Sequence, residues 1–120
     1  MKRRSFIKKT AAASAAFTIV PSFVLGGKHI APSDTLYMAA IGVGGRGGGV
    51  VNELFNSGKV KFVALCDVDD YRAEGSYKQH PKAKKYRDFR MIYDNHLSEI
   101  DAIAVATPDH THAVISLPFM

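Results

Sequence analysis

Hydrophobic and polar positions change period repeatedly along the second three-quarters of the chain. Leu36 to Val43, "LYMAAIGV", is a mostly apolar run of strand length, and such a run fits a strand buried on both faces of a parallel sheet. Val50, Val51, Leu54 and Phe55 then fall at i, i+1, i+4 and i+5, one apolar stripe of a helix, with Gly58 where a helix commonly ends. Val60 to Asp67, "VKFVALCD", is a second strand-length run. Asp69 or Asp70 can cap a short helix reaching about Gln79, and Pro81 ends it. Lys84 to Tyr86 reads as a short third strand. Phe89, Tyr93, Leu97 and Ile100 recur at i, i+4, i+8 and i+11, a helical stripe entered at Asp88, and "DAIAVAT", Asp101 to Thr107, reads as a fourth buried strand. Strands alternating with helices over short connections predict an α/β, doubly wound parallel sheet, of which about four strands are present. Right-handed crossovers give the strand order 3-2-1-4.

The first strand and first helix are joined by "IGVGGRGGG", Ile41 to Gly49. Gly42, Gly44 and Gly47 have the spacing G-x-G-x-x-G, in which the first glycine makes a tight turn, the second admits a pyrophosphate and the third lets helix and strand pack closely. The pyrophosphate rests on free amides at the positive end of the helix. Extra glycines at 45, 48 and 49 weaken the first helical turn by up to about 1 kcal/mol each relative to alanine, a cost more easily borne where a ligand restrains the turn. The spacing alone is weak evidence. Its test is the end of the second strand, where Asp67 stands 20 residues after Gly47, the place expected for a carboxylate that accepts both ribose hydroxyls. A carboxylate there repels a 2′-phosphate, so NAD is favoured over NADP.

"TPDHTHA", Thr107 to Ala113, leaves the fourth strand at its carboxyl end, where open α/β sheets place their ligands. Pro108 ends the strand, and Asp109 or Thr111 can cap the following helix. His110 and His112 fall short of the three protein ligands usual for catalytic zinc, so no metal is expected. Pro118 limits how far the last helix can run.

The first thirty residues have a different character. "MKRRSFIKKTAAASAAFTIVPSFVLGG" places a basic stretch before an uncharged, small or apolar run from Ala11 to Leu25, the layout of an export signal, shorter than the roughly 20 residues a spanning helix needs. "KRRSFIKK" resembles the twin-arginine signal, with Arg3 and Arg4 as the pair. Residues 1–33 are therefore read as signal and linker, and 34–120 as the folded domain. Export to the periplasm is expected, with the membrane met only through the signal segment, which tethers the protein if it is not cleaved.

Charge supports the same division. The formal net charge is +5, yet six of the 16 Lys and Arg lie among the first 28 residues, and from His29 onward ten basic residues face eleven acidic ones. The basicity belongs to the leader, so a nucleic-acid partner is not expected. The single cysteine, Cys66, cannot form an intrachain disulfide and reads as a small core residue.

"AAIGVGGRGGG", "ALCDVDDYRAE", "YRDF" and "IDAIAVATPDHTHA", together with the leader, resemble the Gfo/Idh/MocA family, named for glucose-fructose oxidoreductase and inositol dehydrogenase, and most resemble its exported bacterial branch. The resemblance implies a Rossmann domain in which Gly42, Gly44, Gly45, Arg46 and Gly47 surround the pyrophosphate and Asp67 holds the adenine-side ribose. It further implies Arg72 beside the adenine, Thr107 and Pro108 on the nicotinamide side, and His112 at the T-P-x-x-x-H position near the ribose. The activity implied is NAD-dependent hydride transfer with a sugar or polyol, in a protein that can be a homo-oligomer. The family continues with a fifth strand ending in E-K-P, whose lysine moves the proton, and with a substrate domain. Neither is present here, so the chain reads as the N-terminal part of such a protein and its catalytic residues stay unassigned. Two other readings stay open: a cofactor-binding module without chemistry of its own, and NAD used transiently in glycoside cleavage or epimerisation. An S-adenosylmethionine methyltransferase is disfavoured, because Ala39, Ala40 and Ile41 stand where those enzymes carry an acid.

Overall fold

In the computed structural model, which describes residues 32–120, the chain passes from a single 3₁₀ turn, Pro32–Asp34, into the alternating pattern that the apolar runs dictate. The order is β1 (Leu36–Ile41), α1 (Arg46–Asn56), β2 (Val60–Cys66), α2 (Asp70–Gln79), β3 (Lys84–Tyr86), α3 (Arg90–His96), β4 (Ala102–Val105) and α4 (Asp109–Ser116), closed by a 3₁₀ turn at Leu117–Phe119. The expected twin-arginine leader lies outside the described residues. All strands are parallel and ordered β3-β2-β1-β4, the order the crossover rule requires.

Side chains alternate across β1, and each set meets its own pair of helices. Met38 and Ala40 join Val43, Val51, Leu65, Ala73 and Tyr77, so α1 and α2 cover one face. Ala39 and Ile41 join Ala64, Cys66, Ile92 and Ile115, so α3 and α4 cover the other. The sheet is doubly wound. Along β2 the alternation breaks: Val60 and Phe62 face the α1/α2 layer, but Ala64 and Cys66 face the α3/α4 layer. The cause is a register shift opposite Met38/Ala39, where Met38 pairs with Phe62 and Ala39 with Ala64, leaving Val63 without a partner. One extra residue in a strand reverses every side chain beyond it. The bulge therefore turns Leu65 inward beneath α1 and α2, fully buried, where burying such a side chain stabilises by about 1.5–3 kcal/mol.

Several boundaries differ from the sequence expectation. β1 stops at Ile41 rather than Val43, because Gly42 takes a positive φ of 82° that strands do not adopt. α1 buries Val51 and partly Leu54, while Phe55 remains exposed and meets His80 edge-on at 4.7 Å. α3 is short, and its buried residues are Ile92 and His96; Tyr93 and Leu97 of the expected stripe are exposed. His96 tolerates burial because both ring nitrogens are partnered, Nε2 with the Tyr86 hydroxyl at 2.7 Å and Nδ1 with Glu99 Oε2 at 2.9 Å. α2 is capped by Asp69, whose carboxylate accepts from the Tyr71 and Arg72 amides. α4 has Pro108 at its N-cap, and neither Asp109 nor Thr111 caps it through a side chain.

A candidate dinucleotide site at the carboxyl edge of the sheet

The carboxyl ends of β1, β2 and β4 open into one cleft of about 1140 Å³. Its floor is the β1–α1 turn. Gly42 at φ 82° occupies backbone space that side chains rarely enter, and a Cβ there would lie 2.8 Å from Thr107 Cγ2. A Cβ on Gly47 would fall onto the Gly42 carbonyl oxygen, so α1 reaches the strand this closely only with hydrogen at that position. Gly45 is the N-cap of α1 and no side chain caps the helix. Its positive end is left facing the cleft, an arrangement that favours an anion.

Beside this turn stands Asp67. Its Oδ2 accepts from the Gly44 amide at 2.7 Å and its Oδ1 from the Asp69 amide at 2.9 Å. The carboxylate is thus fixed between the glycine turn and the first turn of α2 before any ligand arrives, and the remaining lone pairs of its oxygens point a charged acceptor at the cleft. Four arginines line the same space, Arg46, Arg72, Arg87 and Arg90, beside the carboxylates of Asp67, Asp69 and Asp88; Arg87 lies within ion-pair range of Asp70 and Arg90 of Asp88, which leaves Arg46 and Arg72 as the cations available to a diphosphate. Cys66 touches the cleft's inner wall but is only 3% exposed. Burial first, and then the charges of Asp67 and Asp88, push its thiol up to about 12, so it stays protonated and is an inert core residue, as expected.

On the β4 side, Thr107, Pro108, His110, Thr111, Val114 and Ile115 form the wall. Thr111 Oγ1 donates to the Pro108 carbonyl at 2.7 Å and lies 2.8 Å from Thr107 Oγ1. Of the residues expected at the site, Gly42, Gly44, Arg46, Gly47, Asp67, Arg72, Thr107 and Pro108 come together around the cleft. Gly45 and His112 do not line it. Gly45 lies against the Arg72 guanidinium, and His112 turns back so that its Nε2 donates to the Thr107 carbonyl at 2.7 Å, bracing the loop. The sequence reading missed Arg87, Asp88, Arg90 and Thr111, and gave His110 no cofactor role. The carboxyl-end rule that drew attention to the loop after β4 applies equally to the loop after β3, and would have found the first three. Among the described residues no group of three or more His, Cys, Asp or Glu side chains is placed to hold a metal ion.

A glycine turn after the first strand, an acid at the end of the second and the order 3-2-1-4 define a Rossmann-type α/β domain. No family model matches the chain. A glycosyl hydrolase family 109 protein of Stenotrophomonas maltophilia is 30% identical over 131 aligned positions, which take in all of this chain and 27% of that protein. The fold is shared with myo-inositol 2-dehydrogenase from Lactobacillus plantarum (TM-score 0.62, 27% identity, 70% of this chain and 24% of that one). It is shared equally with myo-inositol dehydrogenase from Lactobacillus casei, solved with NAD(H) and myo-inositol (0.62, 25%, 71% and 25%). The WlbA dehydrogenase of Bordetella pertussis, solved with NADH and UDP-GlcNAcA, has the same fold at lower identity (0.58, 16%, 67% and 24%). The chain thus spans about a quarter of the length of the relatives it matches. The solved neighbours are Gfo/Idh/MocA-type dehydrogenases and the glycosyl hydrolase family 109 relative is related to them, so the family resemblance drawn from the sequence motifs holds.

Proposed function

We propose that this chain binds NAD and is the nucleotide-binding portion of an oxidoreductase that exchanges hydride with a sugar or polyol. The observation that carries the reading is the junction of Gly44 and Asp67: one hydrogen bond joins the uncapped helix turn to a carboxylate one strand away. A dinucleotide presents a diphosphate and, a few ångströms on, a ribose diol, and these two features meet those needs in that order. The absence of side chains at Gly42 and Gly47 fits the same ligand, since it brings bare backbone to the cleft floor.

In this reading the amides at the start of α1 and the Arg46 guanidinium hold the diphosphate, Asp67 accepts the adenosine ribose hydroxyls and Arg72 flanks the adenine. Thr107 and Pro108 face the nicotinamide half, and His112 keeps their loop in place through the Thr107 carbonyl. When bound, the nicotinamide supplies the hydride acceptor or donor. Asp67 disfavours a 2′-phosphate, which selects NAD over NADP. No residue of this chain is assigned the proton transfer. Isothermal titration tests the reading: NAD binds, and Asp67→Ala abolishes or severely weakens it. Absence of NAD binding by the folded chain would be decisive against it.

The glycosyl hydrolase relative, which aligns along the whole chain, favours a second reading in which the same cofactor is used transiently in glycoside cleavage. Turnover of a glycoside without net NADH production distinguishes the two. We also propose export by the twin-arginine route, on Arg3 and Arg4. Fusion of residues 1–33 to a reporter, with Arg3→Lys and Arg4→Lys together blocking export, tests it.

A further inference from the structure

The turn that follows β2 carries Asp67, yet nothing apolar anchors it: the Val68 side chain is 76% exposed. Polar contacts hold the turn instead. Within the segment, Asp67 accepts from the Asp69 amide and Asp69 caps α2. From outside, the Asp67 amide donates to the Tyr86 carbonyl at 3.1 Å, which brings the residue after β3 alongside the residue after β2. That neighbour is Arg87. Its Nη2 donates to the Val68 carbonyl at 2.9 Å, and its Nε lies 3.7 Å from Asp70 Oδ2 in the first turn of α2. One guanidinium therefore bonds the carbonyl just after Asp67 and lies within ion-pair range of the exposed carboxylate that opens the next helix, while its own residue lines the cleft.

We propose that Arg87 is a positioning residue for the dinucleotide: it holds the 67–70 turn so that the Asp67 carboxylate stays aligned with the Gly44 amide and the adenosine ribose. The inference rests on the NAD reading above. A planar fork with several fixed donors suits two acceptors at once, a task that a single ammonium performs poorly. The position of Arg87 is set by β3, an edge strand of three residues, so the short third strand serves the site by delivering this side chain.

The test uses the 120-residue chain and its Arg87→Ala and Arg87→Lys variants, titrated with NAD and with ADP-ribose, alongside thermal melts and amide hydrogen exchange without ligand. Arg87→Ala is expected to weaken NAD and ADP-ribose alike by about 5- to 10-fold, within the range for loss of one ordinary hydrogen bond. The melting temperature stays within 2 °C or so of the parent, as for most exposed substitutions, while the Asp69 amide exchanges faster. Arg87→Lys recovers only part of the affinity. Unchanged affinity in Arg87→Ala, or a loss matched by a collapse of the melt, overturns the positioning role while leaving the NAD reading intact. Failure of the parent chain to bind either ligand instead sinks the NAD reading, and this proposal with it.

Discussion

Replacing Gly47 by alanine adds one methyl group at the most crowded point of the domain. The added carbon would fall on the Gly42 carbonyl oxygen and also lie 3.3 Å from Ala106 Cβ, whereas real Cβ atoms essentially never approach another heavy atom closer than 3.0 Å. Relief requires α1 to move off the strand or Gly42 to turn, and Gly42 is itself held by its N–H, which donates to the Cys66 carbonyl at 2.8 Å. Overpacking of this kind costs typically 1–3 kcal/mol and more where backbone is the obstacle, so about 3 kcal/mol is expected, even after a gain of up to about 1 kcal/mol in helix propensity. Gly49 is the internal control. It lies two residues on in the same helix, and a Cβ there meets nothing within 4 Å. Gly49→Ala should stabilise by roughly 0.5–1 kcal/mol through propensity and reduced freedom of the unfolded chain. Urea unfolding followed by circular dichroism reads both. The two variants should move the midpoint in opposite directions, with the Gly47 shift the larger by severalfold. Equal and small shifts would show that the close approach of helix and strand does not exist in solution, and the cradle argument would fail with it.

Asp67→Asn keeps the shape but removes the charge, and is expected to weaken NAD binding by about 10- to 100-fold, the range for a hydrogen-bonding charge, while narrowing the NAD-over-NADP ratio; an unchanged ratio by titration would contradict the ribose assignment. His80 is buried against the edges of Phe55 and Phe62, its Nε2 has no partner, and burial lowers its pKa. Well above its ordinary value of 6.5 the ring is neutral in both states. As pH falls below that, the unfolded chain takes up a proton that the folded chain resists, so stability drops until the depressed folded value is reached. His80→Leu should flatten the stability profile as pH falls through and below 6.5, and an unaltered slope would refute the assignment. Cys66, raised to about 12, has on the order of one thiolate in 10⁴ at pH 8. It should resist a thiol reagent in the native chain and react readily in urea, and rapid native labelling would show the wall of the cleft to be open.

The parts of the fold that the sequence disclosed are those set by local chemistry. The run "LYMAAIGV", the glycine turn and the acid of "VKFVALCD" together place two strands and the helix between them, because strand length, helical period and the special backbone of glycine are all local signals. The bulge at Val63 was invisible, since a strand buried on both faces shows no alternation to be broken. The face of α3 differs because the apolar pattern takes in Tyr93 and Leu97 and passes over His96, whereas Tyr86 and Glu99 satisfy the imidazole and allow it inside. The cleft was legible wherever a residue follows β1, β2 or β4. Arg87 and Arg90 escaped because their relation to Asp67 exists only once the edge strand is docked.

A crystal of the chain grown or soaked with NAD decides whether the glycine turn and Asp67 form one dinucleotide site. The diphosphate is expected against the amides at the start of α1, between Gly44 and Gly47, with the adenosine ribose hydroxyls on the Asp67 carboxylate. Density for the dinucleotide elsewhere, or a vacant glycine turn with Asp67 still bonded to Gly44 and nothing else, would contradict it.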